Sequence, residues 1–368
     1  MRAVADVRAA AGRRGAGSAV VVANAAESEP ASAKDITLLE RAPHLVLDGI
    51  ALAAAAVSAR NAYLCVGAAA RHLVGQLETA VLARRRAGLD EVPVRIAEVP
   101  PGYVTSEETA LIHFLNGGTA KPTFVPPRPY DRGVRGRRTL VNNAETLAQM
   151  ALIGRYGADW FRAVGTAGAP GSALLSICGA VARPGVYEAA LGTPVKALVE
   201  LAGGARQPVQ AILTGGYFGA WLPAAAIGLP ATDRDLRKAG ASLGAGVIAV
   251  LPASACGLAE TARVARYLAG QSSGQCGPCV NGLPAIASAL EQIAFRGGGA
   301  RAHQALTQFI ALVEGRGACH HPDGVARLVA TALRVFAEDL RRHRGGPCRN
   351  ASGPAVLPVP AGRREERR

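Results

Sequence analysis

The hydrophobic period of this 368-residue chain changes twice along its length, and each period admits a different architecture. From Ser18 to about Gly165, short apolar runs alternate with longer segments of helical period. Val20-Val21-Val22-Ala23 reads as a buried strand, Asp35 to Ala59 as helix and Ala62 to Gly67 as a second strand. Arg71 to Ala87 follows as an amphipathic helix and Val92 to Val99 as a further strand. Such alternation builds a parallel sheet covered by helices, which binds ligands at the carboxyl ends of its strands. The expected class at this end is α/β.

Between Gly171 and Leu251 the pattern changes to short strands with Gly and Pro turns: Leu174 to Cys178, Pro184 to Tyr187, Ala211 to Thr214 and Val247 to Leu251. One helix, Val195 to Leu201, interrupts them and stops at Ala202-Gly203-Gly204, where glycine accepts the left-handed turn that ends a helix. This is a small α+β module. Beyond Gly257 the period is helical throughout, with Val325, Leu328, Val329, Leu333, Phe336 and Leu340 at helical spacing. The expected domains are 1–165, 166–254 and 255–345, with a Pro- and Arg-rich disordered tail over 346–368.

Composition removes several classes of function. The apolar fraction of 49% suits a soluble protein, and the longest apolar stretch, His44 to Ala59, carries Asp48 and is too short to cross a bilayer. Met1-Arg2 leads into an Asp- and Arg-bearing segment with no apolar signal core, so the expected location is the cytoplasm. A net charge of +14 invites a nucleic-acid reading, but arginine is dispersed and aromatics, at 4%, are too few for a stacking platform. No nucleic-acid partner is expected; docking of an acidic protein is the second reading of the charge.

Seven cysteines without regular spacing do not make a secreted disulfide framework. Cys65, Cys178 and Cys256 read as buried small hydrophobes. The others are different. Cys276-Gly277-Pro278-Cys279 closes a tight turn so that two thiolates converge, and Cys319 follows about forty residues later in Gly317-Ala318-Cys319-His320-His321. Three thiolates are one short of a four-iron set, and Ser273 stands where a Cys-x-x-Cys-x-x-Cys run would carry its first ligand. Ser273 and Cys348 compete for the fourth position; a Cys₃His zinc site using His320 or His321 is the rival arrangement.

Polar clusters upstream each have an ordinary structural reading. Thr105-Ser106-Glu107-Glu108 fits a capping box, Asn142-Asn143 a turn, and Asn24 with Glu27 to Glu29 a strand-to-helix loop with Ser32 as cap. Their order along the chain adds a second reading. Val22-Ala23-Asn24-Ala25-Ala26-Glu27-Ser28-Glu29-Pro30 resembles the Asn-Ala-Asp-Glu-Gly/Ser-Glu-Pro segment of the NADH-oxidising flavoprotein subunit of respiratory complex I and its relatives in soluble hydrogenases and formate dehydrogenases. Tyr103-Val104-Thr105-Ser106-Glu107-Glu108-Thr109-Ala110-Leu111 resembles that family's Tyr-x-x-Gly-Glu-Glu-Thr-Ala-Leu, and Asn142-Asn143-Ala144-Glu145-Thr146 its Asn-Asn-x-Glu-Thr. The cysteine region is similar to its iron–sulfur segment. Gly179 to Glu188 with Gly192-Thr193-Pro194 resembles its soluble-ligand-binding β-grasp (SLBB-type) module.

The resemblance covers roughly Arg2 to His343 and implies a fold: a Rossmann-like FMN-binding domain, a β-grasp domain and a C-terminal helical iron–sulfur bundle. It implies FMN and NADH at Asn24, Glu27, Glu29, Tyr103, Ser106, Glu107, Glu108, Asn142, Asn143 and Thr146, and a 4Fe-4S or 3Fe-4S cluster at Cys276, Cys279, Cys319 and Ser273. It implies NADH dehydrogenase activity, with electrons passing to a ferredoxin-like or other iron–sulfur subunit, and membrane contact only through partners. Three departures bear on this. Ala26 replaces an aspartate, Ser106 a glycine, and the chain starts after the position of the family's glycine-rich phosphate loop, as a truncated member would. Gly12-Arg13-Arg14-Gly15-Ala16-Gly17 mimics the letters of that loop but lies too close to Asn24. The alternative is a degenerate relay or docking subunit that keeps the metal site and oxidises no NADH.

Overall fold

A computed structural model describes residues 19–360. The glycine-bearing segment Gly12 to Gly17 and the terminal arginine cluster lie outside the described residues. The chain forms two compact units, one of residues up to 28 with 33–164, the other of 29–32 with residues from 165 onward.

In the first unit β1 (Ala19–Ala25), β2 (Ala59–Val66), β3 (Val94–Glu98) and β4 (Thr139–Asn143) form one parallel sheet in the order β3-β2-β1-β4. Strand β1 is central. Its residues Val20 to Ala23 are all buried because both faces of the sheet are covered, which is why the run is apolar rather than alternating. The helices are α1 (Lys34–Arg41), α2 (Pro43–Val57), α3 (Val74–Arg86), α4 (Glu108–Leu115) and α5 (Ala144–Arg162), the last broken at Gly157. The single helix expected over Asp35 to Ala59 is thus two. Pro43 occupies the first turn of α2, where its missing N–H is harmless, and it cannot continue α1. Helices α2 and α5 meet at Gly49, where an added Cβ would stand 2.0 Å from the Leu147 carbonyl oxygen.

The second unit begins with a two-residue ribbon, β5 (Gly165–Thr166) and β6 (Ala169–Pro170). A mixed five-stranded sheet follows, built from β7 (Ser172–Gly179), β8 (Gly185–Ala190), β9 (Val209–Thr214), β10 (Ala220–Pro223) and β11 (Val247–Pro252) in the order β10-β9-β11-β7-β8. Only β11 and β7 run parallel. Helix α6 (Val195–Leu201) lays Leu198 and Val199 on Leu175, Ile177, Ile212 and Ile248, giving the small β-grasp core; α7 (Asp233–Lys238) follows it.

The remainder is helical: α8 (Gly257–Gly270), α9 (Leu283–Arg296), α10 (Gly299–Val313), α11 (His321–Val335) and α12 (Ala337–Arg342). Val325, Leu328 and Val329 are buried on α11 as their spacing predicts. Phe336 sits at the break between α11 and α12, edge-on to Trp221 at 5.2 Å between ring centroids.

The segment after residue 346, expected to be disordered, is instead docked as far as Pro358. Its Val356 and Leu357 amides donate to the buried Glu260 carboxylate at 3.2 and 3.0 Å. Tyr217 Oη donates to the Pro358 carbonyl at 2.7 Å, and Ala351 and Leu357 are buried. Composition misleads here because the anchoring partners lie on distant elements. No helix among the described residues is long and apolar enough to cross a membrane.

Candidate cofactor sites

The chain passes from β1 to β2 on one side of the central strand, then returns from β3 to β4 on the other. Loops leaving β1 and β4 therefore diverge, opening a crevice at the carboxyl ends of these strands. Asn24 and Asn143 face each other in register there, and Asn142 lies beside Ala23. Lys34, at the start of α1, sends its ammonium into the same place and pairs with Asp35 at 2.7 Å, Glu145 at 3.1 Å and the Asn143 side-chain oxygen at 3.2 Å. Lys34 is 8% exposed and Asp35 3%. Burial pulls the ammonium's pKa down, but Asp35 and Glu145, with Glu27 behind them, outweigh it, and the net shift is upward. Asn143 also caps α5 by accepting from the Glu145 N–H, and donates to Asp35 at 3.2 Å. Lys34 and Asp35 were not among the site residues expected from sequence. Their signal is an acid–base pair directly after the Glu-Pro segment.

A second set of bonds ties the β1 loop to the approach of α4. Asn24 donates to the Ser106 carbonyl at 2.9 Å and accepts from the Ala26 N–H. Ser28 donates to the Tyr103 carbonyl at 2.8 Å and lies 2.5 Å from the Ser106 hydroxyl. The side chain that Ser106 adds is thereby used within the loop, and Tyr103 is buried. Ala26 packs in an apolar cluster with Val22, Cys65, Val99 and Leu111, so its position carries no polar function.

The carboxylates divide by their partners. Glu27 accepts from the Lys34 and Ile36 amides at 3.0 and 3.4 Å, capping α1 in place of Ser32. Ser32 instead lies against the Ala245 carbonyl at 3.4 Å. Glu29 belongs to the second unit, where it accepts from the Ala31 and Tyr217 amides at 3.2 and 2.7 Å. Glu107 is the N-cap of α4, accepting from the Thr109 and Ala110 amides. The capping box expected to start at Thr105 is therefore displaced by two residues, because the longer glutamate reaches those amides itself. Glu108 is left half-exposed near Arg128, at 3.5 Å. Burial and the neighbouring Glu107 raise its pKa, with Arg128 opposing. Among the described residues the Asn142 amide and the Thr146 hydroxyl take no hydrogen bond.

The thiols occupy the link between α8 and α9 and the turn before α11. The backbone amides of Ala318 and Cys279 approach Cys276 Sγ and favour its thiolate. Burial raises its pKa, but these amides prevail and the net shift is downward. The Ala318 amide neighbours Cys319, so the turn before α11 lies beside Cys276. Cys279 lies in a single π-helical turn, Pro278–Gly282, a distortion frequent at functional sites. Burial, then Cys276 and Cys319, push its thiol up to about 11, while a hydrogen bond with the buried Ser273 hydroxyl opposes.

Neither histidine joins them. His321 is buried, with Nε2 2.8 Å from the Leu268 carbonyl and its ring on Phe218, and His320 lies in solvent beside Asp323. Among the described residues the three sulfurs are not gathered within 4.8 Å of one another, so the compact Cys₃His zinc arrangement is not formed. Three wider-spaced thiolates with one adjacent hydroxyl suit a multi-iron cluster. Cys348 is elsewhere, beside Cys256 and His343, and does not complete this set. Of the two competitors for the fourth position only Ser273 adjoins a cluster thiol.

Family models match in three blocks: the Nuo51 FMN-binding domain over residues 6–152, the SLBB domain over 174–216, and the NADH-ubiquinone oxidoreductase-F iron-sulfur binding region over 253–343. The NADH-quinone oxidoreductase F subunit of Mycobacterium tuberculosis is 30% identical over 340 residues, covering 89% of this chain and 76% of that protein. The chain belongs to the NADH-quinone oxidoreductase F-subunit family. The F 2 subunit of the same oxidoreductase in Rhizobium meliloti is likewise 30% identical, over 332 residues, covering 87% of this chain and 79% of that one. Among solved structures, an NAD+-reducing [NiFe]-hydrogenase in its H2-reduced state aligns with a TM-score of 0.83 at 29% identity over 93% of this chain. The match spans 62% of the length of that hydrogenase chain.

The family's cofactors fit the residues present. Unspent polar atoms on Asn142, Thr146 and Glu108 stand at the strand-end crevice or on the helix turns next to it, as a flavin and a dinucleotide require. The cysteine turns supply soft donors for iron.

Proposed function

We propose that this chain is an NADH-oxidising electron-transfer subunit, holding FMN at the strand-end crevice and an iron–sulfur cluster at Cys276, Cys279, Cys319 and Ser273. FMN, when bound, converts a two-electron donor into single electrons. The side chains position and charge the site. Asn142 and Thr146 hold the flavin by hydrogen bonds, Glu108 faces the dinucleotide, and the Lys34, Asp35 and Asn143 network fixes the strand ends beneath them. Asn24, Ser28 and Ser106 hold the loop carrying Tyr103. Glu27, Glu29 and Glu107 act through the backbone they cap. An iron–sulfur protein is the proposed electron acceptor, and the proposed location is the cytoplasm, with membrane contact made by partners.

The observation that carries this reading is the polar crevice at the β1/β4 switch point, built from the same Asn24 and Asn142-Asn143 segments whose order along the chain resembles the family. Anaerobic purification, with an absorption spectrum, iron and acid-labile sulfide analysis and NADH-dependent dye reduction, tests it. Flavin and cluster bands bleached by NADH are expected. A second reading rests on Ala26, whose packing in the core leaves no carboxylate there. A brown, flavin-free protein that reduces no dye would establish that relay reading and overturn the first.

A further inference from the structure

The segment after α12 returns to the start of α8, and three metal-type ligand atoms meet where it does so. Cys256 precedes α8, His343 opens the 3₁₀ turn after α12, and Cys348 precedes a second 3₁₀ turn, Arg349–Ser352. Their ligand atoms lie within 4.8 Å of one another, and Cys256 Sγ is 3.6 Å from His343 Nε2. In a tetrahedral zinc site, Zn–S bonds of about 2.3 Å and Zn–N bonds of about 2.0 Å put the donor atoms about 3.5–3.8 Å apart.

We propose that Cys256, His343 and Cys348 bind one divalent zinc-class ion that clasps the segment after α12 onto the start of α8. A second observation points to a ligand. His343 Nδ1 lies 3.1 Å from the Ile293 carbonyl and donates to it, so the lone pair is on Nε2, which faces the sulfurs. A backbone acceptor behind a ligating imidazole is the usual device for setting its tautomer and ring angle. His343 is 1% and Cys256 2% exposed, whereas Cys348 is half-buried, which leaves the fourth position to water on the Cys348 side. The Ala259 amide donates to Cys256 Sγ at 3.4 Å, which fixes the sulfur at the first turn of α8. The bonds of Glu260 to Val356 and Leu357 continue the same attachment.

Two sulfurs alone would also suit a disulfide, and a neutral thiol would donate to Nε2; these are the competing outcomes. The test uses the full chain, purified anaerobically with reductant from zinc-supplemented cells, beside Cys348→Ser, a change at a half-buried site. One zinc per chain is expected in the wild type and none in C348S, with iron and acid-labile sulfide equal in both. Cobalt(II) added to zinc-stripped wild type should give a near-ultraviolet thiolate charge-transfer band that C348S lacks. Peptides from 346–360 should exchange amide hydrogens faster once zinc is stripped. Equal zinc in the two proteins, no cobalt band in the wild type, or mass mapping of a Cys256–Cys348 disulfide would overturn the proposal.

Discussion

Replacing Lys34 by methionine removes a buried ammonium while nearly conserving its volume, so the consequence is electrostatic rather than a cavity. Asp35, 3% exposed, keeps only the Asn143 amide at 3.2 Å as a side-chain donor among the described residues. Glu145 is less confined and can turn to solvent, so most of the penalty falls on Asp35. Breaking a buried pair from one side costs about 3–5 kcal/mol, whereas removing both charges is far milder. Lys34→Met should therefore destabilise the first unit by about 3–5 kcal/mol. Lys34→Met with Asp35→Asn should recover much of this, a coupling of about 1–3 kcal/mol. Because the pKa of Lys34 is raised above 10.5, its contribution is fully present below that pH and is lost as pH rises through the folded value. The gap between wild type and mutant should hence stay constant from neutral pH to about 9 and narrow only in strong alkali. Two compact units make a single global transition a poor readout, so hydrogen exchange of β1 and β4 amides, followed by mass spectrometry, is the assay. A single mutant within about 1 kcal/mol of wild type, or a double mutant no better than the single, would refute the argument.

Gly49→Ala should destabilise despite a helix-propensity gain of about 1 kcal/mol, because its Cβ would stand 2.0 Å from a backbone oxygen that only helix separation can relieve. Gly75→Ala, with nothing within 4 Å, should be neutral or stabilising by at most about 1 kcal/mol; hydrogen exchange of amides in the first unit compares the two. Glu260→Gln weakens a charged acceptor for two amides and for Arg263, by about 1.5–3 kcal/mol. Faster proteolysis within 346–360 is its expected signature, and an unchanged cleavage rate counts against it. Ser273→Cys should complete a thiolate set, so that the protein retains more iron and sulfide on exposure to air; identical loss in both proteins would remove Ser273 from the ligand set.

Much of the fold was legible because burial leaves a periodic trace. The continuous apolar run Val20 to Ala23 reads as a strand covered on both faces, and Val325, Leu328 and Val329 read as one helix face. Pro43 was a visible stop that the longer helical period concealed. The order of the Asn24, Tyr103 and Asn142 segments pointed to the family independently of the fold. The docking of Val356 and Leu357 was not legible, since a Pro-rich segment looks disordered unless a distant carboxylate takes its amides.

What the sequence determined by itself is the set of architectures and the inventory of donors: a parallel sheet, a small mixed sheet, a helical bundle, and three thiols spaced for iron. Both follow from local regularities, period and spacing, which need no knowledge of distant partners. Which side chains remain available to a ligand was decided only in three dimensions. Glu29 meets the Tyr217 amide 188 positions away, and Cys348 lies with Cys256 and His343 rather than with Cys279. Each polar atom is taken by the nearest good partner, and the fold, not the order of residues, decides which partner is near.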